Sequence, residues 1–487
     1  MHRTDAMRTM QMVQGAPPNR ECPAFRGGAG WHGSRNEGCR NMGTLDSVGR
    51  VTVNSHRRDL DMVSSSMGVF DTTALPPHAR LIANRDVWME GDGVAQLART
   101  AGLPGCVAAV GMPDLHVGKG PVGAVFATQG RVYPHLLGGD VGCGVSVFAT
   151  REDAKNRDAI ERRVRKAWGE DPLEGCDPEA VFAAAWTRGV AGLAGLDDVS
   201  DTVRAVASFA TDMAGPGARD GGEEEDTGGA GEPGELGSGY EAALGTIGGG
   251  NHFVEIARVD EVRDAGMAER LGLARGCLVV VAHSGSRGLG SALARRWGDA
   301  TLEGAAIGAY LRHVEGARRF AQVNRLLLGY RMLRALGAAR ASKLAGAFDV
   351  THNDVRRESV DGLPAWVHRK GAAPAHAGAA TIVLGSRGAA SWVLAGTGSE
   401  FGLRSVAHGA GRRMGRAEAL SKLKGKYRRS ELATTKLGGR VVCDDADLLY
   451  EEHPDAYKPI EPVVASLIDA GLAAPVASLV PVVTVKR

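Results

Sequence analysis

Aromatic residues are scarce in this 487-residue chain, at 5% of the composition, and no run of about 18 consecutive apolar residues occurs. The sequence therefore predicts no transmembrane helix. The start, Met1-His2-Arg3-Thr4, lacks the apolar stretch of a secretory signal peptide. None of the seven cysteines stands in a Cys-x-x-Cys pair, which disfavours a zinc ribbon or a disulfide scaffold and is typical of a cytosolic protein. We expect a cytoplasmic protein with no membrane partner.

The common nucleotide-binding and protease motifs are also missing. Gly118-Lys119 is followed by Gly120 rather than Ser or Thr, so it is not a P-loop. The sequence contains no Asn-Lys-x-Asp base reader, no clear Gly-x-Gly-x-x-Gly turn between a strand and a helix, and no His-Glu-x-x-His string. The 58 basic and 56 acidic residues leave a net charge of +2, which neither supports nor excludes a nucleic-acid partner.

Two segments have compositions typical of disorder. Residues 1–75 are rich in Met, Arg, Asn, Ser and Gly without sustained periodicity, and they predict a disordered N-terminal extension. Residues 215–239 join the acidic run from Glu223 to Asp226 to several glycines, and they predict a flexible acidic loop. No repeat or linker divides the remainder, so residues 76–487 are predicted to form one domain.

Apolar, β-branched runs alternate with helical stretches in this predicted domain. Strands are predicted at residues 122–128, 278–282 and 381–384. Helices are predicted at residues 151–168, 291–297 and 305–336, the last with a break. The mixture predicts an α/β or α+β fold.

Side chains of the kind that bind metals recur where an apolar run gives way to glycine or another polar residue. They are Asp140, Cys143, His252, His283 and His352, which follow residues 136–139, 245–250, 278–282 and 347–351. Strand ends present ligands from a rigid scaffold, and three imidazoles, a carboxylate and a thiolate suit first-row metals. A thiolate can also bridge two ions. The alternative for each residue alone is a structural histidine, an inert buried cysteine or a turn-forming aspartate.

His408 stands in a second distinctive context, after the short apolar run 403–407 and before Gly409-Ala410-Gly411-Arg412-Arg413. A histidine nitrogen can attack an activated phosphate, and that reaction needs an open backbone and nearby cations. The alternative is a histidine in an ordinary glycine-rich turn. A basic cluster continues from there, and it suits either RNA phosphates or a solvated helix face. Its members are Arg412, Arg413, Arg416, Lys422, Lys424, Lys426, Arg428 and Arg429.

Taken in order, these strings resemble one family, the RtcB-type RNA ligases. The matching strings are D-V-G-C-G at 140–144, G-G-G-N-H-F-V-E at 248–255, H-S-G-S-R-G-L-G at 283–290, T-H-N at 351–353, H-R-K-G at 368–371, G-S-R-G at 385–388 and H-G-A-G-R at 408–412. The resemblance spans roughly residue 110 to the C-terminus. It implies a single compact α+β domain with mixed and antiparallel sheets around a dinuclear metal site.

The resemblance also implies an activity and cofactors. Such enzymes join a 3′-phosphate or 2′,3′-cyclic-phosphate RNA end to a 5′-hydroxyl end in RNA repair or tRNA splicing, with GTP and two manganese ions. By carry-over, Asp140, Cys143 and His252 hold one ion, and Cys143, His283 and His352 hold the second. His408 becomes guanylylated. A monomer is expected, and the resemblance does not decide whether an activating protein is required.

The remaining site residues come from the same carry-over. The implied nucleotide contacts are Asn251, His252, Phe253, Val254, Glu255, His352, Asn353, Leu384, Gly385, Ser386, Arg387, Ser391, His408, Gly409, Ala410, Gly411, Tyr457 and Lys486. Tyr457 is expected to stack on guanine. The implied contacts to RNA or phosphate are Arg287, Arg412 and Arg413.

The sequence departs from many relatives at a few positions. Gly415 replaces the Ser of a Met-Ser-Arg string, Arg387 replaces a Met, and Ala373 stands in a stretch without the usual Thr. With the C-terminal string L-L-Y-E-E-H-P-D-A-Y-K, these departures resemble a bacterial branch associated with release factor H and repair of cleaved ribosomal RNA. Two alternatives to the ligase are a metal-dependent phosphoesterase that only opens cyclic phosphates and a non-catalytic RNA-binding paralogue.

Overall fold

The apolar runs of the sequence form the strands of two large sheets in this computed structural model, which describes residues 75–153, 156–214 and 230–487. The predicted N-terminal extension, up to residue 74, and residues 215–229 of the predicted acidic loop lie outside the described residues. The rest of that loop includes a short 3-10 helix, Pro233–Leu236, whose Leu236 is buried.

The described chain contains 17 strands. They are β1 Ala79–Leu81, β2 Cys106–His116, β3 Val122–Thr128, β4 Arg131–Val132, β5 Gly144–Asp153, β6 Phe253–Val262, β7 Cys277–Ser284, β8 Leu302–Glu303, β9 Leu344–Thr351, β10 Asn353–Val360, β11 Leu363–Lys370, β12 Ala372–Pro374, β13 Ala380–Val383, β14 Ser391–Gly396, β15 Ser405–Ala407, β16 Arg440–Cys443 and β17 Ala473–Lys486. The predicted strands at 122–128, 278–282 and 381–384 correspond to β3, β7 and β13.

Ten α-helices accompany them in the described residues. They are α1 Gly91–Ala101, α2 Arg157–Trp168, α3 Pro178–Ala194 with a kink at Gly189, α4 Asp201–Ala214, α5 Ala265–Arg270, α6 Gly288–Trp297, α7 Ala305–Leu336, α8 Arg416–Lys424, α9 Ala446–Glu451 and α10 Ile460–Asp469. Among the described residues, no helix is both long and apolar enough to cross a membrane.

The larger sheet has eight strands in the order β13-β14-β17-β6-β7-β5-β9, with β16 added beside β17. The second sheet has the order β1-β2-β3-β11-β10. All strand pairs in these two sheets are antiparallel except β1 with β2 and β16 with β17. The predicted α+β class is therefore confirmed.

Strand β7 shows why its sequence is continuously apolar instead of alternating. Leu278, Val280 and Ala282 pack into the core under helix α7, while Val279 and Val281 pack into a second core on the opposite face. A strand covered on both faces needs apolar residues at every position. β7 therefore lies at the centre of the molecule, and its end carries His283.

Two predicted helices differ from the structure. The helix predicted over residues 151–168 begins only at Arg157, because residues 151–153 complete β5, and Asn156 caps α2 by accepting a hydrogen bond from the Ala159 N–H. Helix α7 runs through residues 305–336 without the predicted break. Its glycines serve close packing, since a Cβ at Gly316 or Gly329 would overlap the ring of Trp186 or Phe148 respectively.

Candidate active site and metal centre

Four neighbouring strands of the larger sheet, β6, β7, β5 and β9, bring the predicted ligands together at their ends. Cys143 directly precedes β5, His252 directly precedes β6, His283 is the penultimate residue of β7, and His352 directly follows β9. The register pairs Val145 with His283 and Phe253 with His283, while Gly144 faces Thr351. Because antiparallel neighbours run in opposite directions, the starts of β5 and β6 meet the ends of β7 and β9.

The expectation that each ligand stands where a strand ends is correct for His283, within the last residues of β7, and for His352, directly after β9, and wrong for the others. Residues 136–139 and 245–250 form turns, and Asp140, Cys143 and His252 stand before a strand instead of after one. Their glycines explain the difference. Gly248 and Gly250 have φ of 87° and 72°, a backbone conformation that favours glycine and interrupts an extended strand.

The ligand atoms converge. Cys143 Sγ lies 3.3 Å from His252 Nε2 and 3.4 Å from His283 Nε2. His283 Nε2 lies 3.3 Å from His352 Nε2, and Asp140 Oδ2 lies 3.5 Å from His252 Nε2. Two donors bound to one first-row ion at about 2.0–2.3 Å stand roughly 3.3–3.8 Å apart. The donor spacing and donor types therefore fit metal ions, and we name these five residues the metal end.

Burial and neighbouring charges set the protonation state of several residues of the metal end. Burial and the neighbouring imidazoles hold the pKa of His283 and of His352 well below the usual range, so both rings are neutral and carry a lone pair. Burial and Asp140 raise the pKa of the Cys143 thiol well above its usual range. Burial opposes ionisation of Asp140, yet His252, Lys370 and His283 together outweigh it and lower the pKa of that carboxyl. A bound cation is what would hold Cys143 as a thiolate.

His408 lies beside this cluster, directly after β15. Its ring centroid is 4.8 Å from that of His352. Its Nδ1 lies 2.7 Å from Oδ2 of Asp114, a fully buried residue of β2. An Nδ1–H held by a carboxylate leaves the lone pair on Nε2, which is the arrangement of a nucleophilic or basic histidine.

Sequence reasoning missed Asp114, although one signal was present. It is the one acid within β2, an otherwise apolar and largely buried strand. Lys458, also missed, is buried and donates from Nζ to the carbonyl oxygens of Pro113 at 2.9 Å and Leu115 at 2.8 Å. The lysine thereby fixes the backbone on both sides of Asp114.

A cavity of about 660 Å³ adjoins the metal end and His408. The predicted residues that line it are Asp140, Cys143, Asn251, Phe253, His283, His352, Asn353, Leu384, Gly385, Ser386, Arg387, His408, Gly409, Ala410, Gly411, Arg412, Arg413, Tyr457 and Lys486. Another cavity of about 830 Å³ is larger, but none of the predicted site residues lines it. The convergence of titratable groups identifies the smaller cavity as the candidate site.

Five predicted residues lie behind this lining. His252 belongs to the metal end, and Val254 is fully buried in the core. Glu255 accepts a hydrogen bond from Thr484, which lines the cavity, and burial raises the pKa of Glu255 to about 8. Ser391 accepts from the Gly385 N–H at 3.1 Å. Arg287 donates to Thr246 at 3.1 Å.

Asn353 is a predicted nucleotide contact, and both polar atoms of its side-chain amide form hydrogen bonds within the protein. Its Nδ2 donates to the Asp140 carbonyl at 3.0 Å, and its Oδ1 accepts from the Gly371 N–H at 2.7 Å. Asn353 thus fixes the turn that presents Asp140. Lys370, in the same string as Gly371, is half-buried, and its charge acts on Asp140.

A second group of cavity-lining residues consists of Arg387, Arg412, Glu452, Tyr457 and Lys486. We name it the base end because Tyr457 is expected to stack on guanine. Arg412 donates to Glu452 at 2.9 Å and to the Tyr457 hydroxyl at 3.1 Å, and its guanidinium lies 5.0 Å from the centre of the tyrosine ring. The Tyr457 hydroxyl donates to the buried carboxylate of Glu452. Lys486 donates to the His252 carbonyl at 3.0 Å, and burial lowers the pKa of Lys486 to about 8.

The predicted RNA contacts Arg412 and Arg413 differ in their surroundings. Besides its bonds to Glu452 and Tyr457, Arg412 donates to the carbonyls of Glu451 at 2.7 Å and Met414 at 3.0 Å. All three guanidinium nitrogens of Arg412 therefore have partners in the protein. Arg413 is exposed on the cavity wall and uses one nitrogen for the Asp455 carbonyl.

The basic cluster on and after α8 is largely paired with acids. Lys422 lies 2.6 Å from Glu418, Lys424 lies 2.9 Å from Asp447, and Lys426 lies 3.0 Å from Asp455. Exposed pairs of this kind contribute little to stability, but they reduce the charge offered to a partner. Arg416 differs, because its side chain reaches the cavity and Glu452.

Comparisons with known proteins identify related sequences over most of the chain. The family model described as "tRNA-splicing ligase RtcB" matches residues 96–487. The chain is 37% identical to "RNA-splicing ligase RtcB2" of Escherichia coli over 422 residues, 83% of this chain and 95% of that protein. It is 32% identical to "RNA-splicing ligase RtcB" of Mycobacterium tuberculosis over 447 residues, 80% and 100% respectively.

A third relative is less similar to this chain. The "RNA-splicing ligase RtcB" of Escherichia coli K12 is 29% identical to this chain over 435 residues, 79% of this chain and 92% of that protein. This identity is lower than the 37% found for RtcB2. The resemblance read from the ordered strings is confirmed by the extent of these matches, and the chain belongs to the RtcB family.

Proposed function

We propose that this protein is a GTP- and manganese-dependent RNA ligase that joins a 3′-phosphate or 2′,3′-cyclic-phosphate end to a 5′-hydroxyl end. The observation that carries the proposal is the position of His408. The residue is held at Nδ1 by buried Asp114, lies 4.8 Å from the ring of His352, and lines the cavity. A histidine oriented in this way beside a set of metal ligands suits nucleotidyl transfer.

The reaction begins at Nε2 of His408. This nitrogen attacks the α-phosphorus of GTP, an N–P bond forms, the bond to the β-phosphate oxygen breaks, and pyrophosphate leaves. An oxygen of the RNA 3′-phosphate then takes the guanylate, which breaks the N–P bond and frees His408. The 5′-hydroxyl finally attacks the 3′-phosphorus and releases GMP. A cyclic phosphate is first opened by water to a 3′-phosphate.

The metal end would hold two manganese ions. Asp140, Cys143 and His252 are proposed for one ion and Cys143, His283 and His352 for the other. When bound, such ions neutralise phosphate charge and polarise the phosphorus for attack. Asp114 keeps the His408 proton on Nδ1 throughout, and Lys458 fixes the strand that carries Asp114.

The cavity offers matching surfaces for the nucleotide. The Gly409-Ala410-Gly411 segment beside His408 lets a phosphate approach the backbone closely. Tyr457 supplies an aromatic face for the guanine base, while Asn251, Phe253, Ser386 and the segment around Leu384 line the walls. Arg287 and Arg413 are proposed to contact RNA. The names of the relatives support RNA splicing as the process.

A labelling experiment tests the central step. Wild-type protein is incubated with Mn²⁺ and GTP labelled at the α-phosphate, and we expect protein-bound label that acid removes. His408→Ala should carry no label, whereas His78→Ala, a change outside the cavity, should label normally. An unlabelled wild type or a labelled His408→Ala protein would contradict the proposal.

The same reaction, with RNA carrying a cyclic-phosphate end and a 5′-hydroxyl end added, separates the two alternatives. Opening of a cyclic phosphate without GTP and without protein label would indicate a phosphoesterase. RNA retention without turnover, persisting after metal removal, would indicate a non-catalytic binding protein. Joined RNA that requires both GTP and His408 would support the ligase.

A further inference from the structure

Helix α7 places one charged side chain in the interior of the fold, that of Arg325, which is fully buried. Its Nε and Nη2 donate to the two carboxylate oxygens of Asp349, both at 2.8 Å. Its Nη1 donates to the backbone carbonyls of Gly142 at 2.8 Å and Ser284 at 2.9 Å. A buried guanidinium is costly unless its donors are satisfied, and all three of its nitrogens have acceptors here. Arg325 therefore fixes the position of each group that it contacts.

The acceptors of Arg325 lie in three segments that also carry proposed metal ligands. They are Gly142, directly before Cys143, Ser284, directly after His283, and Asp349, three positions before His352. The charge of Arg325 also acts on Cys143 and on His352. One side chain thus connects the segments of all three residues that we propose for one of the two ions.

Asp349 gives this connection a second anchor. Its carboxylate also accepts hydrogen bonds from Ser146 at 2.5 Å and from Gln322 at 3.2 Å. Burial opposes ionisation of Asp349, yet Arg325 and these two partners together outweigh burial and lower the pKa of that carboxyl. The pair is therefore ionised at neutral pH, and its two opposite charges offset each other.

Different side chains hold the remaining ligands, Asp140 and His252. Asn353 donates to the Asp140 carbonyl at 3.0 Å. Asn324, also in α7, accepts from the Thr246 N–H and donates to the Thr246 carbonyl, both at 3.1 Å, and so holds the turn that leads to His252. The two proposed ions therefore differ in how far their ligands depend on Arg325.

We propose that Arg325 is a positioning residue that holds Cys143, His283 and His352 at the spacing that one manganese ion requires. The inference rests on the proposed function, since it takes the arrangement of two ions from it. It goes beyond the ligand set because it assigns the geometry of one ion to a side chain that binds no metal. If Arg325 served fold stability alone, its replacement would lower stability without a preference for either ion.

Titration of the protein with Mn²⁺ alone tests this assignment. In Arg325→Lys the ammonium can still pair with Asp349, but a single point donor cannot replace the planar fork that reaches the carboxylate and both carbonyls. We expect the wild type to bind two ions. The variant should bind one of them about 10–100-fold more weakly and the other as tightly as the wild type does. The electron paramagnetic resonance signal of free Mn²⁺ measures both dissociation constants.

Double variants identify the ion that is weakened. Arg325→Lys combined with His352→Ala should bind Mn²⁺ no more weakly than His352→Ala alone, because both changes act on the same ion. Arg325→Lys combined with His252→Ala should bind neither ion tightly, because the two changes act on different ions. The opposite result, with Arg325→Lys adding to His352→Ala but not to His252→Ala, would overturn the proposal.

Arg369→Lys is the matched control. Arg369 is also buried, pairs with buried Glu358 at 2.6 Å, and donates to Ser405 and to the Leu403 carbonyl. None of these partners adjoins a proposed metal ligand, so this variant should lose stability to urea and keep both Mn²⁺ constants. Unchanged constants in Arg325→Lys, equal weakening of both ions, or the same selective loss in Arg369→Lys would each overturn the proposal.

A further variant keeps the test decisive if Arg325→Lys does not fold. Arg325→Met combined with Asp349→Leu replaces the pair by apolar side chains, a kind of change that other proteins tolerate, and the same selective weakening is expected. These titrations contain no GTP or RNA. Selective weakening together with an unlabelled wild type would therefore support Arg325 and refute the ligase, while a labelled wild type with unchanged constants in the variant would refute the positioning role alone.

Discussion

The metal end and the base end of the cavity are built in opposite ways. At the metal end, three imidazoles and the Cys143 thiol converge from the ends of paired strands, with ligand atoms 3.3–3.4 Å apart. At the base end, Arg412 and Tyr457 hydrogen-bond to the buried carboxylate of Glu452, and the charge of Lys486, at the end of β17, acts on the same carboxylate. The first arrangement is complete only with a cation, whereas the second is nearly complete without a ligand.

The comparison indicates how the protein should respond to substitutions at each end. Strand pairing fixes ligand positions through many backbone hydrogen bonds, so the geometry at the metal end survives while its charge balance depends on what binds. At the base end, contacts between side chains, chiefly those of Arg412 with Glu452 and Tyr457, hold the arrangement instead. We therefore expect changes at the metal end to remove a function outright and changes at the base end to lower an affinity.

The largest effect is expected from Cys143→Ala. Cys143 is the proposed shared ligand of both ions, so its loss should reduce bound manganese from two ions per chain to at most one and bring His408 labelling below detection. Metal analysis after removal of free ions and the labelling assay measure the two effects.

Cys277→Ala provides the matched control, because Cys277 stands at the opposite end of β7 from His283. This variant should keep its manganese and its activity. Full manganese content in Cys143→Ala would show that the metal end does not work as a shared site, and the contrast with the base end would fail.

The second largest effect is expected from Asp114→Asn. The amide can donate to Nδ1 of His408 and so shift the ring proton to Nε2, which removes the attacking lone pair. Labelling should fall roughly 10²–10⁴-fold, as for other histidines that lose an orienting carboxylate. Manganese content should not change, since Asp114 contacts no ligand of the metal end. A variant that labels at the wild-type rate would remove Asp114 from the mechanism.

The two ends also differ in what the sequence revealed. The metal end was visible because each ligand has a local signature of an apolar run and glycine, and all five predicted ligands converge. The Asp114–His408 pair was not visible, since its partners are 294 positions apart and only the fold brings them together. At the base end, the resemblance predicted Tyr457. It did not predict Glu452, whose carboxylate accepts the hydrogen bond of the Tyr457 hydroxyl.

The elements of the fold differ in the same way, since those with local signals were predicted and those that depend on distant contacts were not. β3 was predicted at its observed bounds because its apolar run and the glycine-rich turns beside it are local signals. The predicted break in α7 was wrong because helix glycines are required by packing against Trp186 and Phe148, which are distant in sequence. The order of strands in the sheets depends on long-range pairing and was not readable from periodicity.

A third prediction concerns Lys458, which holds the strand that carries Asp114 and whose pKa is lowered by burial to about 8. The unfolded chain keeps this lysine protonated up to about pH 10.4. Between those pH values the unfolded state binds more protons than the folded state, so the contribution of Lys458 to stability rises with pH. Wild type should gain about 2 kcal/mol over Lys458→Met between pH 7.5 and 9.5. Urea unfolding of both proteins measures it, and parallel pH profiles would contradict it.

The smallest effects are expected from Arg412 and Arg413, and they are the sharpest test of the comparison. Arg412 holds Glu452 and Tyr457, so Arg412→Ala should raise the KM for GTP about tenfold, leave kcat nearly unchanged, and leave RNA affinity intact. Arg413 is exposed, so Arg413→Ala should leave GTP use unchanged, weaken RNA binding about twofold to threefold at low salt, and lower the salt slope by about one. If both variants weaken RNA binding equally, the base end also binds RNA. The hydrogen bonds of Arg412 within the protein would then not keep it from contacting RNA.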